Sequence, residues 1–204
     1  MPANDDLRFF ATVCASITHE LKNVLAVIHE QAGLLDDLTH MAARGMPLDP
    51  ERLAATSDCL LRQVGRGDAI LTDLNKFAHA TDAAESPIHL EELVPLAVSL
   101  SQRRAAMRKV RLDAGEGAAA AISGDPFLAI RLLAGCLDRA MDAPDADKTV
   151  TMAVTTADAP TVTVAGMADD APGDVAALEA LAAPLGARLE PRPGGLAVIW
   201  PTAS

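Results

Sequence analysis

One stretch decides the fold of the first part of this chain: Ser16-Ile17-Thr18-His19-Glu20-Leu21-Lys22-Asn23-Val24-Leu25-Ala26-Val27-Ile28. Its apolar residues recur at three- and four-residue steps, which is the spacing of a helix with one buried face. On a helical wheel with about 100° per residue and His19 at zero, the apolar residues of this region fall between roughly 140° and 240°. These residues are Cys14, Ile17, Leu21, Val24, Leu25, Ile28, Ala32 and Leu35. The pattern predicts a long amphipathic helix.

His19 lies on the opposite, polar face of the predicted helix. Ser16 and Asn23 fall within about 60° of it on the wheel, and Glu20 follows it directly. A solvent-facing histidine beside a carboxylate and one turn from an amide is equipped for chemistry rather than for packing. His19, Glu20 and Asn23 are therefore the candidate catalytic residues.

Composition and charge exclude several classes of function. The formal net charge of −11 argues against nucleic acid and anionic membranes as partners. Three cysteines (Cys14, Cys59 and Cys136) lie far apart in apolar stretches, which favours buried thiols in a reducing compartment. No apolar run approaches the ~18 residues that span a bilayer, and the acidic N-terminal residues lack the positive flank of a signal peptide. We therefore expect a cytoplasmic protein.

The first 81 residues predict a helical hairpin. Two long helices, from residue 8 to about 43 and from 50 to about 81, are joined by a short turn. The residues that mark the helix ends are Asp5 or Asp6, Gly45, Asp49 and Pro50. Because two helices alone cannot shield both apolar stripes from water, we expect a homodimer with a four-helix bundle.

A polar, proline-containing segment at 81–87 indicates a domain boundary, and strands alternate with helices beyond it. The predicted strands are 88–90, 110–112, 149–156, 161–165, 188–190 and 196–200, and the predicted helices are 91–108, 126–142 with cap Asp125, and 173–185. A loop is predicted for 115–121. The whole predicts an α+β fold: a hairpin domain at 1–82 and a small α/β sandwich at 87–204, with a mixed sheet and helices on one face.

Several stretches of this sequence resemble a known protein family. The stretch around His19 is similar to the phosphoacceptor box of sensor histidine kinases, especially the subgroup that reads His-Glu-Leu-Lys-Asn. Residues 66–78 look like the second dimerisation helix of those kinases, and 88–201 resemble their ATP-binding domain in layout. Residues 185–190 and 198–201 match the end of that domain. The resemblance covers nearly the whole chain.

The chain departs from the kinase pattern where nucleotide would bind. Arg139-Ala140-Met141-Asp142-Ala143 aligns with Asn-Ala-x-Asp-Ala, so Arg139 replaces the asparagine that helps to hold magnesium. Gly166-Met167-Ala168-Asp169-Asp170 replaces Asp-x-Gly-x-Gly, and the glycine-rich lid is missing. Val24 stands where the family often has proline, and this replacement changes none of the reacting groups. The resemblance implies a histidine phosphotransferase derived from kinases, with no ATP, other cofactor or metal bound by this chain.

The resemblance also implies roles for the candidate residues. His19 would carry a phosphoryl group between aspartates of response-regulator receiver domains, with Mg²⁺ on the receiver. A histidine ring is mostly neutral at pH 7, so a ring nitrogen can attack phosphorus. Glu20 is the candidate acceptor of the imidazole proton, and Asn23 can reach the phosphoryl group or a water beside it. Lys22 and Ser16 are candidate contacts to phosphate or partner.

Two other functions stay open at the level of sequence. One is a phosphatase of a phosphorylated response regulator, which would use Glu20 and Asn23 with His19 as an orienting group. The other is a non-catalytic, kinase-like module that sequesters a regulator. Replacing His19 by Gln distinguishes them, because transfer requires the imidazole, phosphatase activity can partly survive without it, and binding does not need it. An active ATP-dependent kinase is not expected.

Overall fold

The computed structural model describes residues 2–82, 85–169 and 175–202, with side chains from Asn4 onward. The chain forms two compact units, Met1–Asn75 and Lys76–Ser204. The fold is α+β, with two long N-terminal helices followed by a small region of sheet and helices. The domain limits of 1–82 and 87–204 stay a prediction.

The first unit contains the two long helices. Helix α1 covers Pro2–Ala43 and helix α2 covers Pro50–His79. The prediction that Asp5 or Asp6 caps α1 is wrong, because the helix already begins at Pro2; Asp5 lies in its first turn, where a carboxylate stabilises the positive end of the helix dipole. The Asp49 cap is confirmed, since its Oδ1 accepts a hydrogen bond from the Glu51 amide at 3.0 Å. Both predicted helices are thus present, and α2 ends two residues early.

The apolar stripe of α1 divides into a buried and an exposed flank. The buried members lie at roughly 100° to 160° on the wheel that starts at His19; they are Val13, Ile17, Val24 and Leu38. Leu25, at roughly 240°, keeps 62% of its surface exposed. On α2, Leu61, Val64 and Leu71 are also exposed, within about 80° of one another around the helix. Within the described residues, each helix of the hairpin therefore keeps large apolar side chains exposed.

The second unit begins with the last turn of α2 and continues through alternating strands and helices. Phe77 of α2 stacks on Phe127 with ring centroids 5.7 Å apart. In chain order the elements are β1 (Ser86–His89), α3 (Leu90–Arg108), β2 (Arg111–Ala114), β3 (Ala121–Gly124), α4 (Pro126–Asp142), β4 (Thr149–Thr155), β5 (Thr161–Ala165), α5 (Ala176–Ala182), a 3₁₀ turn (Ala183–Leu185), β6 (Arg188–Arg192) and β7 (Gly195–Ile199).

The strands form two sheets. The larger has the order β2-β4-β5-β7-β6, in which β2 and β4 are parallel and the other neighbours antiparallel. Strands β1 and β3 form a separate antiparallel pair. Helices α3 and α4 pack on the larger sheet, where alternate residues of β4 (Val150, Met152 and Val154) are buried. The predicted mixed sheet and the hairpin of β4 with β5 are confirmed.

Two predictions for this unit need correction. The loop predicted for 115–121 ends in a strand, β3, whose Ile122 lies opposite Ile88 of β1. Its composition of Ala, Ile, Ser and Gly gave no strand signal, because only one of the four residue types favours strands. The predicted helix 173–185 is too long, because α5 ends at Ala182 and a 3₁₀ turn covers Ala183–Leu185; residues 173–174 lie outside the described part. None of the helices in the described ranges combines the length and apolar character needed to cross a membrane.

Candidate functional site

His19 lies on the exposed side of α1, well inside the helix. One turn later, the amide nitrogen of Asn23 is 3.3 Å from Nδ1 of the His19 ring. Residues four apart on a helix are stacked above one another, so the helix itself sets this contact. The contact engages the ring at Nδ1, and no described hydrogen bond or ion pair reaches Nε2 at the far end of the imidazole. The structure therefore brings together two of the three predicted catalytic residues.

Glu20 faces a different neighbour. Its Oε2 lies 3.8 Å from a terminal guanidinium nitrogen of Arg66 on α2. The Glu20 side chain is only 20% exposed, whereas that of Arg66 is 56% exposed. Among the described residues, Arg66 is the polar side-chain partner that the structure gives Glu20. The carboxylate is thus directed across the hairpin rather than onto the imidazole.

The two remaining predicted site residues do not contact the imidazole. Ser16 is half-buried on the preceding turn, and Lys22 is exposed. In the part of the chain that the structure describes, neither side chain makes a hydrogen bond or ion pair with His19. A contact with phosphate or partner stays a prediction for both residues.

Arg66 is a site residue that the sequence reasoning missed. The turn between α1 and α2 sets which residues of the two helices lie opposite each other. Counting from the end of α1 and the start of α2 places residue 20 opposite roughly residue 73 rather than Arg66, so spacing alone does not point to this pair. Close packing holds the helices at this level, since a Cβ on Gly67 would meet the Val24 side chain at 3.5 Å.

The second unit has a cavity of about 110 Å³ where the resemblance expects nucleotide. It is lined by Arg139, Met167, Ala168, Asp169, Val175, Pro191, Arg192, Gly195 and Leu196. The Asp169 carboxylate accepts a hydrogen bond from the Gly194 amide at 2.9 Å, so it stabilises the turn between β6 and β7. Asp170 lies outside the described residues. The cavity thus gathers the residues that replace the kinase motifs, and the absence of ATP binding stays a prediction.

Ion pairs link helices α3 and α4 of the second unit, and α4 also holds a buried thiol. Arg104 and Arg108 on α3 pair with Asp138 on α4 at 3.2 and 3.4 Å, and Arg108 also pairs with Asp142 at 2.8 Å. Burial raises the pKa of Asp138 despite the neighbouring guanidinium groups. Burial also raises the pKa of Cys136 to about 12, so this thiol is not a nucleophile at neutral pH.

Comparisons with known proteins give structural likeness alone. No protein-family profile and no curated protein match the sequence. Among solved structures, the chain is similar to the histidine kinase AdeS of Acinetobacter baumannii (12% identity, 91% of this chain, 98% of that chain, TM-score 0.48). It is similar to the ATP-binding domain of PrrB from Mycobacterium tuberculosis (16%, 60% and 100%, 0.49) and to the cytoplasmic segment of the histidine kinase QseC (22%, 58% and 79%, 0.46). The first and third of these structures are of histidine kinases, and the second is an ATP-binding domain.

Proposed function

We propose that this chain is a histidine phosphotransferase of a two-component phosphorelay, with His19 as the phosphoryl carrier. The observation that carries the proposal is the exposed imidazole held through Nδ1 by Asn23 at 3.3 Å. Phosphoryl transfer depends mainly on positioning and electrostatic stabilisation, and a ring fixed on a continuous helix meets the first requirement. The partner would be the receiver domain of a response regulator, which supplies the aspartyl phosphate and its own Mg²⁺.

The transfer step uses Nε2 as the nucleophile. Its lone pair attacks phosphorus, the bond from phosphorus to the receiver carboxylate breaks, and the electron pair of that bond leaves with the carboxylate. Attack by Nε2 requires the ring proton to be on Nδ1. The Asn23 amide has an oxygen as well as a nitrogen, so a half-turn of the amide lets the oxygen accept Nδ1–H. The proton then stays on Nδ1, and the resulting phosphoimidazolium is a good donor for the reverse transfer.

A homodimer belongs to the same proposal. The exposed apolar residues of the hairpin would be covered if two copies form a four-helix bundle. They are Leu25, Leu61, Val64 and Leu71. The carboxylates and amides of the polar face would remain outside such a bundle, so both copies would present His19 to partners.

The second unit has no catalytic role in this proposal. Arg139 stands where the kinases that the sequence resembles have the asparagine that helps to hold magnesium, and Gly166 stands where they have the aspartate that reads adenine. Asp169, further along the same segment, accepts a hydrogen bond from the Gly194 amide. We therefore propose that the chain binds no ATP and obtains its phosphoryl group from a receiver. The free cysteines Cys14, Cys59 and Cys136 support the proposed cytoplasmic location, where thiols stay reduced.

The experiment that tests the function is transfer from receivers labelled with radioactive acetyl phosphate. The purified chain should acquire label that is stable in alkali and labile in acid, as a phosphohistidine is. His19→Gln should abolish the label. His29→Gln is the matched control, because His29 is also exposed on α1 and makes no described polar contact. Label on the His19→Gln protein would contradict the proposal.

A phosphatase is the second candidate, and the Asn23 contact favours it as well. An amide beside the imidazole can orient a water toward a phosphoaspartate on a docked receiver. In that case the receivers lose their label while none appears on this chain, and Asn23→Ala slows the loss. If the receivers bind this chain and keep their label, the remaining explanation is a non-catalytic binding module.

A further inference from the structure

The ion pair between Glu20 and Arg66 joins the two helices next to the phosphoacceptor. Glu20 is the neighbour of His19 in sequence, and its half-buried carboxylate faces α2. Arg66 reaches it with one guanidinium nitrogen at 3.8 Å and keeps more than half of its own surface in solvent. A single contact at this distance is governed by charge rather than by bidentate geometry.

The electrostatics of the site make this pair important. The chain has a net charge of −11, and a phosphorylated receiver brings a further dianionic group to His19. Glu30 and Asp37 share the polar face, but they are three and five turns away, beyond a Debye length of about 8 Å at physiological salt. Among the carboxylates of α1, Glu20 is thus the nearest to His19 along the chain. A carboxylate without a compensating cation at this place would oppose the incoming phosphoryl group.

We propose that Arg66 is a positioning residue that acts through Glu20. It neutralises the carboxylate and holds it toward α2, so that Glu20 adds no uncompensated negative charge to the path of the phosphoryl group to Nε2 of His19. This inference rests on the proposed phosphotransfer at His19. Arg66 has no described hydrogen bond with the imidazole and takes no part in bond making.

The test is a double-mutant cycle on the single-turnover rate of transfer from a phosphorylated receiver at subsaturating concentration. Arg66→Gln should slow transfer by about tenfold, within the range of coupling between contacting charged residues. Arg66→Lys should retain most of the rate, because it preserves the charge. The same Arg66→Gln substitution should have no further effect in a Glu20→Gln background, where there is no charge to neutralise.

Two controls separate this role from a general loss of positive charge or of stability. Arg62→Gln removes an exposed arginine one turn earlier on α2, with no described ion pair, and should leave the rate unchanged. Raising the ionic strength from about 0.05 to about 0.5 M should shrink the effect of Arg66→Gln, since salt screens the repulsion between the uncompensated carboxylate and the incoming phosphoryl group. A loss of stability would not make the rate depend on ionic strength in this way. Such a loss would appear as a lower unfolding temperature of the Arg66→Gln protein.

The outcomes distinguish the inference from the function on which it rests. If the wild-type chain takes up no label, the proposed function fails. If the wild type is labelled but the Arg66→Gln variant transfers at the wild-type rate, the inference is overturned. It is also overturned if Arg66→Gln slows transfer as much in the Glu20→Gln background as in the wild type, because Arg66 then does not act through Glu20. Equal loss in the Lys and Gln variants would likewise overturn it, because charge would then not be the cause.

Discussion

The polar face of α1 and the cavity beside Arg139 are two places where the family resemblance expects phosphoryl chemistry, and they differ in how they are built. On α1, His19 and Asn23 are one turn apart on one helix, so their 3.3 Å contact needs only that helix. The cavity collects residues from α4, from the segment after β5 and from strands β6 and β7. A site built within one helix survives as long as the helix does, whereas a site built from several elements can lose its chemistry while the fold persists.

The largest expected effect is the contrast between substitutions in the two regions. His19→Gln should reduce label on the chain at least about a hundredfold, because no other group replaces the nucleophile. Arg139→Ala should leave transfer within about twofold of wild type. Both are measured by transfer from a labelled receiver. A folded Arg139→Ala protein that fails to accept label would show that the second unit takes part in the chemistry and would break the comparison.

A second effect concerns the exposed apolar faces of the two regions. Leu61, 68% exposed on α2, belongs to the face that we assign to the dimer, whereas Met107, 64% exposed on α3, does not. Leu61→Glu should weaken dimerisation at least about tenfold, because it buries a charge without a partner. Met107→Glu should not change it. Sedimentation equilibrium measures both, and dissociation caused by Met107→Glu alone would place the dimer contact in the second unit instead.

A third, smaller effect tests the structural role of the charges in the second unit. Because burial raises the pKa of Asp138, the folded chain holds this proton more tightly than the unfolded chain. The stabilisation from this group is therefore full below its ordinary pKa of 3.8 and is lost as the pH rises through the folded value.

Urea unfolding of wild type and of Asp138→Asn between about pH 3.5 and 7 measures this dependence. The difference in free energy of unfolding, wild type minus variant, should fall as the pH rises. Asp58→Asn serves as the control, since Asp58 is exposed on α2 and has no described ion pair. A difference that grows with pH would mean that the arginines, rather than burial, dominate the environment of Asp138.

The contrast between features set within one helix and features that need several elements explains which parts of the structure the sequence predicts. The helices, the Asp49 and Asp125 caps and the nearness of Asn23 to His19 follow from local spacing, and the structure has them. Strand β3 was missed because the strand with which it pairs, β1, lies more than 30 residues earlier in the sequence.

The same limit applies to charge pairs between elements. Glu20 was expected beside the imidazole, yet its direction depends on which residue of α2 lies opposite. The ion pairs of Asp138 likewise need α3 and α4 to be packed together before they can be seen. Roles that require a partner, as for Lys22 and Ser16, stay predictions.

The smallest expected effect lies at Gly67, the residue after Arg66. A Cβ added there would meet Cγ1 of Val24 at 3.5 Å, an ordinary van der Waals contact, so alanine fits without moving α1. Because glycine in a helix interior costs about 0.5–1 kcal/mol relative to alanine, Gly67→Ala should raise the free energy of unfolding by about that amount. Thermal unfolding followed by circular dichroism measures it, with Gly33→Ala on α1, where a Cβ meets nothing within 4 Å, as the matched variant. Stabilisation by Gly33→Ala but not by Gly67→Ala would mean that the backbone of Gly67 lies closer to Val24 than the 3.5 Å contact implies. The two helices would then be closer together at this level, and the distance between Glu20 and Arg66 would differ as well.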